Sequence, residues 1–260
     1  EKYGKPIGTG AQCQVYRKDN TVYKVLSEGH ELIGALHEGF ALATAESLDI
    51  PVSNIHGVYT ECGHIVMEMD YVSGDTLTEL IIKAGEAGDV AAIDAYLDEF
   101  VALQVKLHSH PAGGLGNVRN TYATLIKTFP GVSDTLREKL QKLLETLPDG
   151  DALCHNDFHP LNVIASNNQY VIIDWDSAMI GNAAGDVAHT YLVCILMDAA
   201  IEHVYADFSG KYLQKYLAAT NMDRASVEAW LPLHAAFLYV SLRQNPTGDI
   251  SLLEPFFATI

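Results

Sequence analysis

The stretch that constrains this chain most is His155-Asn156-Asp157-Phe158-His159-Pro160-Leu161-Asn162, followed by the apolar run Tyr170-Val171-Ile172-Ile173 that ends in Asp174. Asn156 and Pro160 argue against helix there, so a carboxylate and an amide lie five positions apart on a loop. The apolar run reads as a short buried strand that delivers a second carboxylate at its end. Such a set suits phosphoryl transfer: Asp157 would orient a hydroxyl, while Asn162 and Asp174 would supply oxygen ligands to Mg²⁺ on nucleotide phosphates. Three polar groups converging at strand ends outweigh an ordinary turn as the explanation. His155 and His159, at i and i+4, raise zinc as an alternative. The loop character and the lack of a glutamate after His155 argue against it. His155 reads instead as a structural brace of the loop.

Upstream, Ile7-Gly8-Thr9-Gly10 enters the β-prone run Gln14-Val15-Tyr16-Arg17. Glycines there let a backbone approach phosphates, although Gly-x-Gly also serves ordinary hairpin turns. Lys24 follows inside Val22-Tyr23-Lys24-Val25-Leu26, where a buried amine needs an anionic partner. Glu31 and Glu38 on the next helical segment are both candidates, and Glu38 is preferred because it lies nearer the middle of the helix. A lysine pointing to water from an edge strand is the alternative.

The first seventy residues read as a strand-rich unit with one helix, Glu28 to Leu48. Val72-Ser73-Gly74-Asp75 marks the boundary, so the division expected is residues 1–70 and 71–260. Beyond it Thr76–Lys83, Val90–His108 and Ser133–Leu147 carry amphipathic helical spacing. Residues 109–132, with Pro111, Gly113, Gly114, Gly116, Pro130 and Gly131, read as a long irregular connection. Short strands are expected only near Ala152–Cys154, Asn162–Ile164 and Val171–Ile173, and after Val187 the chain reads as helix broken near Gly210 and Pro246. Asp186, in Gly185-Asp186-Val187-Ala188-His189, reads as an N-cap or as a buried brace of the catalytic loop, roles that are compatible.

Acidic residues outnumber basic ones 33 to 16, for a net charge of −17. That balance disfavours nucleic acid and anionic membranes as partners and favours cationic ligands. The four cysteines, Cys13, Cys62, Cys154 and Cys194, form no close pair and read as reduced thiols. Glu1-Lys2-Tyr3-Gly4 carries no apolar signal-peptide core, and no run is long enough to span a bilayer, so the expected location is cytoplasmic. No obligate protein partner is inferred.

The stretches IGTGAQCQVY, VYKVL, HEGFALATAESLDIPV, VMEMDYVSGDTL, HNDFHPLNVI and VIIDWDSAMIGNAAGDVAHTYL resemble the aminoglycoside phosphotransferase and choline kinase group. They span residues 7 to about 195. The resemblance implies a bilobal, protein-kinase-like α+β fold: a small antiparallel sheet lobe and a mainly helical lobe. It implies ATP as phosphoryl donor, with GTP as an alternative, and Mg²⁺ as cofactor. Residue by residue it implies Asp157 as catalytic base, Asn162 and Asp174 as metal ligands, and Lys24 on the phosphates with Glu38 as its partner. Gly8 and Gly10 would approach the phosphates, and Met69-Asp70-Tyr71-Val72 would meet the adenine edge. Met67 and Ile173 would sandwich the base. Asn156 replaces the glycine of many aminoglycoside enzymes and also occurs in choline-kinase-like members, which leaves the subfamily open. The absence of an Ala-Pro-Glu segment points away from protein substrates. The acceptor favoured is a cationic aminoglycoside, met by His159 and Asp176 and by acidic helices carrying Asp198, Glu202, Asp207 and Glu228. Those acids read equally as a solvated helix face. A choline-, thiamine- or sugar-like metabolite is the second acceptor class, and a catalytically silent nucleotide-binding regulator the alternative outside enzymes.

Overall fold

The computed structural model describes residues 2–9, 13–26, 32–128, 130–167, 169–201, 205–243, 249–258 and 260. In chain order the elements are β1 (Lys5–Thr9), β2 (Cys13–Lys18), β3 (Thr21–Leu26), α1 (Leu32–Ser47), β4 (Ile55–Glu61), β5 (His64–Asp70), β6 (Asp75–Thr76) and α2 (Leu77–Glu86). There follow α3 (Val90–His108), α4 (Val118–Thr128), α5 (Asp134–Thr146), β7 (Ala152–Cys154), a 3₁₀ turn (Pro160–Asn162), β8 (Val163–Ser166), β9 (Gln169–Ile172) and β10 (Met179–Gly181). The chain continues as α6 (Ala183–Ile201), α7 (Phe208–Thr220), α8 (Arg224–Glu228) and α9 (Leu231–Leu242), and closes with a 3₁₀ turn (Ile250–Leu253) and α10 (Glu254–Phe257). No helix among the described residues is long and apolar enough to cross a membrane.

The contacts divide the chain into two compact units, Glu1–Leu77 with Leu161–Ala178, and Thr78–Pro160 with Met179–Ile260. The segment after the His155–Pro160 loop therefore returns to the N-terminal unit, a grouping that a boundary drawn once along the chain does not express.

The first unit holds a five-stranded antiparallel sheet in the order β1-β2-β3-β5-β4. Its hairpins are tight for local reasons. Cys62 and Gly63, between Glu61 and its partner His64, both have positive φ, which a two-residue turn matched to strand twist requires. The sheet register sets Lys24 opposite both Val15 and Met67, so these three share one face. Helix α1 lies against the sheet closely enough that a Cβ on Gly39 would come within 3.0 Å of Ile55 and 3.1 Å of Val58. A second small sheet, β6-β8-β9, belongs to the same unit. Gly74 leads into it at φ 147°, where a Cβ would lie 1.8 Å from the Ala165 carbonyl oxygen, so only glycine fits. Trp175, fully buried, donates its ring N–H to the Ile172 carbonyl at 3.1 Å and locks the end of β9.

The second unit is mostly helical, with β7 and β10 paired antiparallel. Its helix α3 keeps the boundaries expected from periodicity, and Asp89 caps it by accepting from the Ala92 N–H at 3.0 Å. Residues 118–128 form a helix within the segment expected to be irregular. The expected break near Gly210 falls earlier, at the turn Tyr205–Asp207, and α7 runs through Gly210. Pro246 lies outside the described residues. Strands β6 and β10 lie outside the strands expected from the sequence. They are too short to show periodicity and exist because a neighbouring strand offers hydrogen bonds.

Candidate active site

In the first unit, the Lys24 ammonium lies 2.9–3.0 Å from both Glu38 carboxylate oxygens and 2.9 Å from Asp174 Oδ1. Strand β3 supplies the lysine, the buried face of α1 supplies Glu38, and the turn after β9 supplies Asp174. Burial pulls the Lys24 pKa down, but the two carboxylates overcome it and hold the amine charged, above its ordinary value. Burial pushes the Glu38 carboxyl up against the pull of Lys24, and the charge of Asp174 adds to that rise. One ammonium between two carboxylates leaves the cluster with a net negative charge, which favours an added cation. Glu31, the other sequence candidate, lies outside the described residues.

Asp174 takes φ 63°, a left-handed conformation that is costly for a non-glycine residue and is found disproportionately at functional sites. The pairing of Val163 with Ile172 continues as a hydrogen bond from the Ile173 N–H to the Asn162 carbonyl at 2.9 Å. Residues 162 and 173 are thereby adjacent across the hairpin, next to Asp174. An amide oxygen and a carboxylate are the hard donors that Mg²⁺ prefers, so the residues fit that ion.

A cavity of about 740 Å³ opens in this unit. Cys13, Val15, Val22, Lys24, Leu26 and Met69 line it from the sheet, and Ile164 and Ile173 from the β8–β9 hairpin. Asp70, Tyr71 and Val72 also line it, and Glu38, Asp174 and Asp176 add acidic groups to its wall. Met67, expected beside Ile173, is fully buried and does not line the cavity; Met69 does. Gly8 is a strand residue of β1 paired with Val15, and Gly10 lies outside the described residues. Asp70 is held on three sides. Ser53 donates to its carbonyl at 2.6 Å, Asn54 donates to its carboxylate at 2.9 Å, and His56 Nε2 lies 2.7 Å from the other carboxylate oxygen.

In the second unit the loop from His155 to Pro160 is organised by Asp186. This carboxylate is fully buried and accepts from the backbone N–H of Asn156 at 2.7 Å and of His155 at 3.2 Å, and its Oδ2 lies 2.8 Å from His108 Nε2. Burial raises its pKa, but His108, then His155 and the Asn156 N–H, outweigh that and bring it down to about 2. The N-cap role falls instead to Asn182, whose side chain accepts from the Ala184 N–H at 2.9 Å. Asn156 has φ 59°. That conformation is open mainly to glycine and asparagine, so the residue identity here answers a backbone requirement and does not report on the acceptor. Phe158 anchors the loop by stacking on Phe100 of α3 at 4.5 Å between ring centres.

Asp157 projects from this loop with its side chain 37% exposed. His159 Nε2 lies 3.4 Å and His189 Nε2 3.7 Å from the same carboxylate oxygen, Oδ1. Burial raises the Asp157 pKa, but the two imidazoles hold it well below the ordinary carboxylate range. Such a group orients a hydroxyl better than it removes a proton, which is what a loose phosphoryl transition state requires. His189 was not singled out from the sequence. It follows Asp186 by three positions in a helix, so both can face the loop, but only folding shows that it reaches Asp157.

His108, Cys154 and Asp186 also bring potential ligand atoms within 4.8 Å of one another. Burial keeps the Cys154 thiol protonated, and Asp186 is already committed to the loop, so this cluster reads as a brace. The acidic residues expected to form a substrate wall are engaged elsewhere. Asp198 accepts from the N–H groups of Phe208 and Ser209 and so caps α7; Asp207, in a left-handed conformation, packs on Gly210; Glu228 pairs with Arg224 at 2.8 Å. Glu202 lies outside the described residues.

Several solved structures share this fold at low sequence identity. A thermostable mutant of the aminoglycoside phosphotransferase APH(4)-Ia, in its apo form, is 15% identical, with a TM-score of 0.65 over 98% of this chain and 92% of that one. The choline kinase LicA from Streptococcus pneumoniae is 16% identical, with a TM-score of 0.64 over 97% and 92%. The amicoumacin kinase hAmiN, in complex with AMP-PNP, Ca²⁺ and Ami, is 14% identical, with a TM-score of 0.66 over 99% and 87%. These likenesses establish the bilobal, protein-kinase-like α+β fold. No curated protein matches the chain in sequence. The model of the phosphotransferase enzyme family matches residues 5–230, from the first strand to the residue before α9. With the match covering most of the chain, this protein belongs to the phosphotransferase enzyme family.

Proposed function

We propose that the protein transfers the γ-phosphoryl group of ATP, with GTP as an alternative donor, to a hydroxyl of a small molecule. The observation that carries this reading is Lys24 bridging Glu38 and Asp174 in a cavity of nucleotide size, with Asn162 beside Asp174. Lys24 would hold the α and β phosphates, and Glu38 would keep its amine in place. The backbone of Asp70 to Val72 would meet the base edge, with Val22, Ile164 and Ile173 against its faces. Asn162 and Asp174 would hold Mg²⁺, which when bound neutralises charge on the β and γ phosphates. From the second unit, Asp157 would accept a hydrogen bond from the acceptor hydroxyl and aim its oxygen at phosphorus. His155 and Asp186 would hold the loop that carries Asp157.

The net charge of −17 favours a cationic, aminoglycoside-type acceptor. Asp198 and Glu228 are committed to a helix cap and to an ion pair, so they lend that acceptor no support beyond the net charge. The relatives above bear the names of aminoglycoside, choline and amicoumacin kinases, and acceptors of those three kinds form the panel to test. The experiment is calorimetric titration with ATP and GTP, with and without Mg²⁺, followed by turnover with that panel. Mg²⁺-dependent nucleotide binding with phosphorylation of one panel member is the expected result. Binding without turnover on any acceptor would favour the silent regulator, and no nucleotide binding would end the proposal.

A further inference from the structure

The carboxylate of Asp157 is met by a chain of rings that the reaction as described does not use. His189 Nε2 points at Asp157 Oδ1 from 3.7 Å, is buried, and makes no hydrogen bond. Behind it the His234 ring lies edge-on at 5.5 Å between centres, and His234 Nδ1 is 2.9 Å from the Tyr122 hydroxyl. His234 is itself 1% exposed, and Trp230 packs 6.0 Å from its ring. Burial, with the neighbouring His189, lowers the His234 pKa to about 3, so that ring is neutral at physiological pH.

A buried imidazole nitrogen left without a partner is costly. The 3.7 Å gap exceeds hydrogen-bonding length by about 0.5 Å, and catalytic hydrogen bonds in unliganded enzymes are often long and tighten only in the complex. The buried His234 ring stands against the other side of the imidazole, 5.5 Å away between ring centres. We propose that His189 is a positioning residue for Asp157: its Nε2–H closes onto Oδ1 when nucleotide and acceptor are bound, and fixes the carboxylate edge presented to the acceptor hydroxyl. His234 and Tyr122 hold the ring in place for that contact. The proposal rests on the reading of Asp157 as the group that orients the acceptor.

The test uses the full chain with ATP and Mg²⁺, reading phosphate release with water as the acceptor hydroxyl. His189→Phe keeps a ring and removes the donor; His189→Gln restores an N–H at a comparable reach. The expected result is a fall in kcat of about tenfold or more for His189→Phe, with the KM for ATP and the melting temperature unchanged, and recovery of most of the rate in His189→Gln. Equal rates in wild type and His189→Phe would overturn the proposal, as would equal losses in both variants. Asp157→Asn in the same assay separates the two readings. If it leaves phosphate release intact, the role of Asp157 itself falls; if it abolishes release while His189→Phe does not, only the positioning role falls. Should phosphate release be undetectable, ¹⁵N spectra of the histidine rings, recorded with a non-hydrolysable ATP analogue and Mg²⁺ bound and water as the acceptor, decide: the His189 nitrogen signals move on Asp157→Asn if the two groups are coupled, and unmoved signals overturn the proposal.

Discussion

The two units each concentrate negative charge, and they balance it with different chemistry. In the first, Glu38 and Asp174 share one lysine, whose charge is fixed over any physiological pH. In the second, Asp157 and Asp186 are met by imidazoles and backbone N–H groups, with His159 and His189 on one and His108 on the other. The first cluster is half open, with Asp174 44% exposed, and keeps a negative surplus that a metal could use. In the second unit Asp186 is wholly enclosed, and its oxygens are taken up by the His155 and Asn156 N–H groups and by His108. The difference separates a centre suited to holding charged ligands from one that shapes a loop and aims a single carboxylate.

Four expectations break or sharpen this contrast. The largest effect is expected at Asp157, where substitution by alanine should lower kcat by about two to four orders of magnitude while nucleotide affinity, proposed to rest on the other unit, stays as it was. Steady-state kinetics beside calorimetry on one preparation would show it. Next comes Asp186→Ala, which strands His108 and two backbone donors. A loss on the order of 3–5 kcal/mol is expected in denaturant melts, with catalysis failing because the loop is lost.

Asp174→Ala should abolish Mg²⁺-dependent nucleotide binding without a comparable loss of stability, since that residue is half exposed. Titration with and without Mg²⁺ checks it, and unchanged binding would remove Asp174 from the metal site.

The smallest effect concerns pH. Asp186 has a folded pKa lowered from 3.8 to about 2, so its contribution is present above the unfolded value and is lost as pH falls through that interval. It amounts to about 2 kcal/mol, visible as a falling melting temperature between about pH 4 and pH 2. The Asp186→Asn protein should lose that part of the pH dependence. A wild-type melting temperature flat over that range would show that Asp186 is not stabilised as described.

The two units also differ in how far their residues announced them. The first was legible because its strands are β-prone runs set off by short turns, and because Lys24, Glu38 and Asp174 fall in an order that phosphoryl transfer makes intelligible. What the sequence does not tell apart is Met67 and Met69: Met67 shares the Lys24 face and is sealed, while Met69 two positions on lines the cavity. In the second unit α3 and α5 were readable from their apolar stripes. Helix α4 was not, because Val118 and Ile126 are its buried residues and its flanks are rich in glycine and proline. The acids Asp198 and Glu228 were counted by charge, and their work as cap and ion-pair partner appears only in three dimensions. His189 escaped notice for the same reason: helical spacing placed it near Asp186, but its approach to Asp157 depends on how the loop returns.

The most direct test of the account follows labelled γ-phosphoryl from ATP into the acceptor panel with wild type and Asp157→Ala side by side, both shown to bind ATP and Mg²⁺ equally. The account predicts label in one acceptor with the wild type and at least about a hundredfold less with the variant. Equal transfer by both proteins would contradict it.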